Sequence, residues 1–500
     1  MTGQTRKPVW KVMVALAGLG GVVLPALAQE QHAAELSQVV RLNRAPVSNE
    51  VLHVTLPRPV VTKLPNGLTV LVLERHKLPT VNLLLWIGTG DMSDPKDMPG
   101  LASFTAEMLK EGTAHRSSAQ LAADVEGIGA SLEASSEFGS TSSAVNASGL
   151  APSAGRILEL MSDVVLNPTF PTGELEKYKQ RQLSDLEQER SDPYALARER
   201  FHRALYGGFP AAVTMPTPES IRAVTPERLK EFHDRYYVPS NAILGLAGDV
   251  KADEVLDLVR RNFGDWKGEA PPKPDWSHLP SPPPAAISLV DRADSVQTNI
   301  VAGDYGARRV DDDYIALNVM NRVVGGGPQA RLFLNLREVH GYTYGAYSRV
   351  GDEQYREPWV ASTEVRNTVT DGSLEQLLFE LKRIREEKVP ESELNDARHS
   401  IVASFALSLE RPQQLLDWWL LVEEYGLPQD YWDRYPVEVA HTTADAVQAA
   451  ARKYIDLPHL QIACVGDPKA PGNSQKQTVR EVLAKYGTVE VFDANGNREP

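Results

Sequence analysis

One cysteine, Cys464, stands among 500 residues, so no internal disulfide can staple this chain and its stability must come from burial of a core. Basic residues are outnumbered, 52 Lys and Arg against 66 Asp and Glu, for a formal net charge of −14. No dense basic stripe breaks that balance, which argues against a nucleic-acid binder; the acidity reads as a solvated surface. Beyond residue 24 no uninterrupted apolar run has the length of a membrane-spanning helix. Histidine is sparse. His76, His115, His202, His233 and His340 are scattered, and no two histidines stand one helical turn apart, so paired imidazoles for zinc are missing. What is present is ordinary for a globular protein, 42% hydrophobic and 24% charged, and the length exceeds what one core fills. Two or more domains are expected.

The N-terminus carries an address. Arg6, Lys7 and Lys11 precede the apolar run 12–24, and Ala26-Leu27-Ala28 makes an A-x-A cleavage site before Gln29. An uncleaved anchor is the alternative, but the run is short and is interrupted by Gly18, Gly20 and Gly21. The expectation is a signal peptide over 1–28, an exported and periplasmic mature chain, and an extended arm over 29–60.

Regular structure is expected from Val61 onward. TKLPNGLTVLVLE reads as a hairpin turning at Asn66-Gly67, and Val81–Ile87 reads as a buried strand. A serine-capped helix is expected over Ser117–Ile128, then a strand over Ala134–Ala147. Helices follow over Ala151–Leu166, Thr172–Arg190, Pro193–Tyr206 and Thr225–Tyr237, with a strand at Ala242–Gly248. Seven of the fourteen residues from Pro271 to Pro284 are proline, which excludes helix and central strand and marks 270–286 as a semi-rigid linker.

Beyond the linker the pattern starts again. Val224-Thr225, Arg235-Tyr236 and Leu246-Ala247-Gly248-Asp249 are echoed by Thr442-Thr443, Lys453-Tyr454 and Cys464-Val465-Gly466-Asp467, at a constant offset of 218 residues. An unbroken register across a helix and a strand points to internal duplication. Mixed helices and hairpins then predict an α+β protein of two domains, 61–269 and 287–490, related by pseudo-symmetry. In the second, a helix over Asp311–Val324 ends in Gly325-Gly326-Gly327-Pro328. This loop leaves a helix rather than entering one and lacks a following Lys-Ser or Lys-Thr, so it reads as a helix stop, not a phosphate cradle.

Two stretches carry chemistry. Gly100–Thr113, GLASFTAEMLKEGT, is a turn running into a helix with Leu101, Phe104, Met108 and Leu109 at core-facing spacing. Further on, Arg331-Leu332-Phe333, Leu336-Arg337-Glu338 and Gly341-Tyr342-Thr343-Tyr344-Gly345-Ala346-Tyr347-Ser348 run from a helix through a turn into a strand. By composition alone Arg337 reads as a surface ion pair with Glu338 or Asp311, and Tyr344 as a strand core residue.

Together these frames, with the tandem halves and the proline-rich joint, resemble the M16 (pitrilysin/insulinase/mitochondrial processing peptidase) zinc peptidases over about Val61–Asp467. The first stretch resembles the metal-binding helix, whose core is His-x-x-Glu-His. Here those positions are Ser103, Ala106 and Glu107, so the helix is kept while the zinc ligands and general base are absent. The family's third ligand, a glutamate, falls near Ser184–Asp185, and the neighbouring Glu187 and Glu189 read as solvated helix-face charges. The second stretch resembles the Arg/Tyr pair that completes the active site, and Arg337 and Tyr344 match it residue for residue. The resemblance implies that the arginine holds substrate backbone and the tyrosine hydroxyl stabilises the oxyanion.

The implied fold is two M16-type (LuxS/metallohydrolase-like) α/β sandwich domains forming half of a clamshell. The implied function is the Arg/Tyr-bearing subunit of an exported heterodimeric zinc peptidase, inactive alone and binding no metal itself. Zinc would sit in a His-x-x-Glu-His paralogue, and extended peptides would be the substrate. The alternative is a non-catalytic scaffold or peptide-binding homologue. A lone peptidase of other chemistry is disfavoured, because Ser103 has no recognisable base and Cys464 sits in an apolar strand.

Overall fold

The structure, a computed structural model, describes residues 51–499. The expected signal peptide and most of the expected arm lie outside the described residues. Val51–Pro500 forms one compact unit, and no helix among the described residues is long and apolar enough to cross a membrane.

Two six-stranded mixed sheets organise the chain. The first comprises β1 (Val60–Lys63), β2 (Thr69–Glu74), β3 (Thr80–Ile87), β4 (Ser131–Ser136), β5 (Ser143–Leu150) and β6 (Ala242–Gly248), in the order β1-β2-β6-β3-β5-β4. The second comprises β7 (Ala286–Asp291), β8 (Gln297–Tyr305), β9 (Thr343–Val350), β10 (Pro358–Arg366), β11 (Gln461–Gly466) and β12 (Val489–Phe492), in the order β12-β7-β11-β8-β10-β9. β2 and β7, β6 and β11, β3 and β8, β5 and β10, and β4 and β9 occupy matching places. The one parallel pair in the first sheet, β2 with β6, has its counterpart in β7 with β11. The repeat read from the 218-residue echo is therefore a repeat of topology. Only one edge differs: β1 is the antiparallel hairpin partner of β2, whereas β12 comes from the end of the chain and lies parallel to β7.

Local chemistry accounts for most elements. Lys63 pairs with Thr69 across a turn in which Gly67 takes a φ of +99°, a left-handed conformation glycine adopts freely. Ser117 forms a reciprocal capping box with Gln120 at the helix Ser118–Gly127. The stretch 134–147, expected as one strand, is instead the hairpin of β4 and β5, reversed around Gly139 (φ +86°). Small polar residues alternate on both arms, so the pattern runs through the turn without a break. The helix expected from Asp311 begins at Tyr314; the Asp311 carboxylate instead accepts the Arg308 backbone N–H and binds its guanidinium.

Each sheet packs one face on helices of its own half. In the first, Val81, Leu83, Leu85 and Ile87 of β3 meet α1 (Leu101–Met108) and the helix Ala154–Leu166. The opposite faces are covered by exchange. α2 (Pro193–Tyr206) belongs to the first half, yet its Leu196, Ala197, Phe201 and Leu205 pack on Val290, Val301, Val360 and Val465 of the second sheet. From the second half, α3 (Tyr314–Val324) and α4 (Glu391–Ser408) lead to α5 (Pro412–Tyr425). Leu415, Leu416 and Trp419 of α5 pack on Leu71, Leu73, Ile243 and Ala247 of the first sheet. α2 and α5 are both 14 residues long and both begin on proline. Residues 51–58, without regular structure, run against α5 and the helix after it, Tyr431–His441: Trp419 Nε1 donates to Pro57 O at 3.1 Å and Leu56 N–H donates to Asp433 at 2.9 Å.

Gly245 marks how closely α5 approaches, since a Cβ there would lie 2.6 Å from Leu416 Cδ1. Leu416→Ala should lower the unfolding free energy by about 2–5 kcal/mol and Gly245→Ala by about 1–3 kcal/mol. The double variant should cost less than the sum, because the shortened side chain leaves room for the new methyl. Urea unfolding of the four proteins measures the coupling; strict additivity would mean the two residues do not meet.

Candidate functional site

Ser103, Ala106 and Glu107 lie on one helix, α1, and the structure gives each a settled role. The Ser103 hydroxyl donates to Asp91 Oδ2 at 2.7 Å, with the Ser136 carbonyl also within reach at 3.0 Å. The Ser136 hydroxyl, on β4, donates to Asp91 Oδ1 at 2.8 Å. Ala106 is buried in the packing of α1. Glu107 is held by Lys110 at 3.2 Å, and Lys110 also binds Glu133 of β4 at 2.8 Å. A second buried carboxylate, Asp94, accepts the Gly100 and Ala102 backbone N–H groups at 2.6 and 2.8 Å, satisfying the open amides at the start of α1.

Asp91 and Asp94 were not foreseen from sequence. They sit in the irregular run before α1, where no periodicity singles them out. Burial pushes both carboxyls up, and for Asp94 the charge of Asp91 adds to the effect.

The residues present do not fit zinc. Ser103 is a neutral hydroxyl already donating, Ala106 offers no atom, and Glu107 is neutralised by an ammonium. Asp185, at the third-ligand position, lies exposed on the helix Thr172–Ser191 and accepts from Gln182 at 3.2 Å. Glu187 is exposed as expected, but Glu189 is partly buried and pairs with Arg198 at 3.1 Å. Several histidines are engaged elsewhere: His76 with Asp249, His115 with Asp163, His202 with the Ala211 carbonyl and His233 with the Val165 carbonyl. Among the described residues no group of three or more His, Cys, Asp or Glu is arranged to hold a metal. Cys464 is fully buried in β11, where burial pushes its thiol up to about 12 and keeps it unreactive.

Arg337 and Tyr344 are placed differently. Both sit on local irregularities. Arg337 lies in Leu334–Val339, a wide helical turn of π type, closed where His340 N–H donates to Asn335 O at 3.1 Å. Its guanidinium stacks over Phe333, 4.7 Å from the ring centroid, and meets Glu338 at 3.5 Å. The ion pair with Glu338 is thus present, but the arginine remains exposed.

Tyr344 is not a strand core residue. It is 91% exposed, the most exposed large hydrophobic side chain among the described residues. The cause is a β-bulge: Ala346 pairs with Thr363 and Thr343 with Val365, so Tyr344 and Gly345 together face the single residue Glu364. Ala346 and Ser348 point inward, and the extra residue turns Tyr344 out. Hydroxyls stitch the bulge: Thr343 Oγ1 donates to Glu364 O at 2.7 Å and Thr363 Oγ1 donates to Gly345 O at 3.1 Å. A Cβ on Gly345 would lie 2.6 Å from the Tyr347 ring, so glycine lets that ring fold back. β9 is also the last strand of its sheet, with one edge unpaired.

Known proteins share this fold. The profile described as "Insulinase (Peptidase family M16)" matches residues 69–219, and "Peptidase M16 inactive domain" matches residues 223–401. The chain belongs to the M16 peptidase family. A peptidase M16 inactive-domain structure from Pseudomonas fluorescens is 27% identical, covers 82% of this M16 chain and 98% of its own, and superposes with a TM-score of 0.75. A Helicobacter pylori protease shares the fold at 18% identity, with a TM-score of 0.76 over 82% of this chain and all of its own. An uncharacterized zinc protease of Mycobacterium leprae is 29% identical over 292 residues, 57% of this chain and 64% of the relative. The match thus spans slightly less than two thirds of that relative's length. The uncharacterized zinc protease YmxG of Bacillus subtilis is 24% identical over 69% of this chain and 83% of its own.

The buried acids make a pH signature for this degenerate site. A carboxyl whose folded pKa lies above its unfolded one binds more protons folded than unfolded. Its stabilising contribution is complete below the unfolded carboxylate range and declines as pH rises toward the folded pKa. Asp91→Asn removes that ionisation, and the serine hydroxyls beside it can accept as well as donate. Urea midpoints should show the variant gaining on the wild type from about pH 4 to about pH 6. A constant difference between the two would assign the pH dependence elsewhere.

Proposed function

We propose that this chain is the non-zinc subunit of an exported, periplasmic heterodimeric M16 zinc peptidase, lending Arg337 and Tyr344 to the site of a zinc-bearing paralogue. The observation that carries this reading is the bulge in β9. A strand that merely filled a sheet would bury its aromatics. Here an extra residue, fastened by two threonine hydroxyls, presents a tyrosine almost wholly to solvent.

The chemistry follows from the side chains. The Arg337 guanidinium is a rigid fork of N–H donors suited to peptide carbonyls, and its stacking on Phe333 limits the orientations it samples. The Tyr344 hydroxyl donates to charge developing on a carbonyl oxygen during hydrolysis. Neither residue can activate water, and the degenerate helix supplies no metal or free base, so this reading requires the second subunit. The partner would hold the zinc.

A scaffold that binds peptides without hydrolysis is the competing function, and reconstitution separates the two. With a His-x-x-Glu-His partner, the complex should cleave unfolded peptides, and Tyr344→Phe should lower kcat by roughly 100- to 1,000-fold without weakening assembly. Arg337→Ala should raise KM as well as lower kcat, because it grips substrate before and during reaction. Steady-state kinetics with size-exclusion analysis reads both effects; a wild-type rate for an intact Tyr344→Phe complex would exclude the shared site. Elemental analysis of the chain purified alone should find no stoichiometric zinc, and about one chelatable zinc per chain would overturn the reading of the helix.

A further inference from the structure

The two halves also meet away from the exchanged helices. The connection between β9 and β10, residues 351–357, reaches the tip of the β4–β5 hairpin in the first half. Glu353 makes the contact: one of its oxygens accepts the Thr141 backbone N–H at 3.2 Å and the Thr141 hydroxyl at 2.7 Å. Thr141 is buried and Glu353 partly so. Beside them a cleft of about 250 Å³ is walled by serines of the hairpin and by three acidic residues, Glu137, Glu353 and Glu357.

Charge is crowded here. Three of the seven residues 351–357 are acidic, Asp352, Glu353 and Glu357. From α5 comes Glu424, whose Oε1 accepts from Gln354 of the same loop at 2.9 Å. The cations nearby are few. Arg309 pairs with Asp352 at 2.6 Å, while Arg349 of β9 acts on Glu357 and Lys273 of the linker on Glu424 without forming an ion pair. The other groups against the loop are neutral. Tyr206 of α2 donates to Arg356 O at 2.8 Å and Tyr425 of α5 to Asp352 O at 2.5 Å, while Tyr355 packs on Tyr206 and Phe209. His202, against the Tyr206 ring, is pushed down to about 4 by burial. The Arg356 guanidinium turns away to the Gly306 carbonyl.

Burial pushes Glu353 and Glu424 each up to about 7, and the neighbouring acidic charges add to the effect. Burial raises Glu357 as well, against the pull of Arg349. The Thr141 donors favour an ionised Glu353, but burial outweighs them.

We propose that the Glu353–Thr141 contact is a pH-sensitive latch between the halves, closed while Glu353 is protonated and loosened when Glu353 and its acidic neighbours ionise together. The exchanged helices hold the halves in both states; only the loop and the hairpin tip part. Ser136 on β4 holds Asp91, and β9 leads from Tyr344 to the loop, so the latch ties the strands that carry the two chemical regions. Nothing in it depends on a partner, a metal or hydrolysis.

The sign follows from linkage. Once the contact opens, Glu353 is solvated and titrates in the ordinary carboxylate range. The closed form is therefore most favoured below about pH 4, and its advantage declines as pH rises and is gone near pH 7. Hydrogen exchange followed by mass spectrometry on the whole chain, corrected for the intrinsic rise of exchange with pH, reads the opening. From about pH 5 to about pH 8, protection of segments 137–142 and 351–357 should fall about 10- to 100-fold. At the upper end both should exchange while β8 and β11 are still unexchanged. Glu353→Gln keeps an acceptor for Thr141 and cannot ionise, so protection of 137–142 should then change by no more than about twofold over the same range. Thr141→Val removes the hydroxyl from the other side and should lower the protection of both segments already at the acid end. The latch is overturned if the segments exchange only together with β8 and β11, because that is global unfolding. It is equally overturned if the hairpin of Glu353→Gln keeps the wild-type response, or if Thr141→Val leaves the acid-end protection unchanged.

Discussion

Each half of this protein covers the other's sheet, and the remaining structure depends on that exchange. A mixed sheet with apolar residues on both faces needs two layers of cover. Here each half's own helices supply one layer and a single helix from the other half supplies the second. Contacts of this kind join residues hundreds of positions apart, so the chain must close very long loops before its largest apolar surfaces leave water. The proline-rich connection between the sheets is therefore a strap around an already interlocked body, not a hinge between independent ones.

With the frame held this firmly, the two chemical regions show opposite treatment. At α1 the groups around the first chemical region are satisfied: serine hydroxyls on Asp91, backbone amides on Asp94, an ammonium on Glu107. Such a site has been closed over as structure. At Arg337 and Tyr344 the backbone departs from regular geometry, and the side chains so displayed have little in the chain to bind. Irregular backbone and exposed aromatic surface both cost stability, and they persist together on β9.

Much of this was legible in sequence, for reasons that particular residues make plain. Asn66-Gly67 announces a hairpin, Ser117 with Gln120 a helix start, and the echo at Gly248-Asp249 and Gly466-Asp467 the duplication, because each is written in neighbouring residues. The exchange was not legible. Pro193–Tyr206 reads only as a helix and Pro412–Tyr425 has no assignment, because a helical pattern carries no address for the sheet it will cover. Tyr344 defeated periodicity for another reason. Alternation presumes an unbroken register, and one extra residue opposite Glu364 reverses which side a side chain takes. The Asp91–Ser103–Ser136 cluster lay hidden because its members are separated in sequence and come together only when β4 packs beside α1.

The exchanged helices also constrain where such a protein can have come from. A single ancestral half, with one strand order and one projecting helix, would have left a full sheet face bare in water. Two copies could hide both faces only by trading helices, so the ancestor would have existed as an interlocked homodimer. Within one chain the two copies are free to differ, as their outer strands do: β1 is the hairpin partner of β2, whereas β12 comes from the end of the chain.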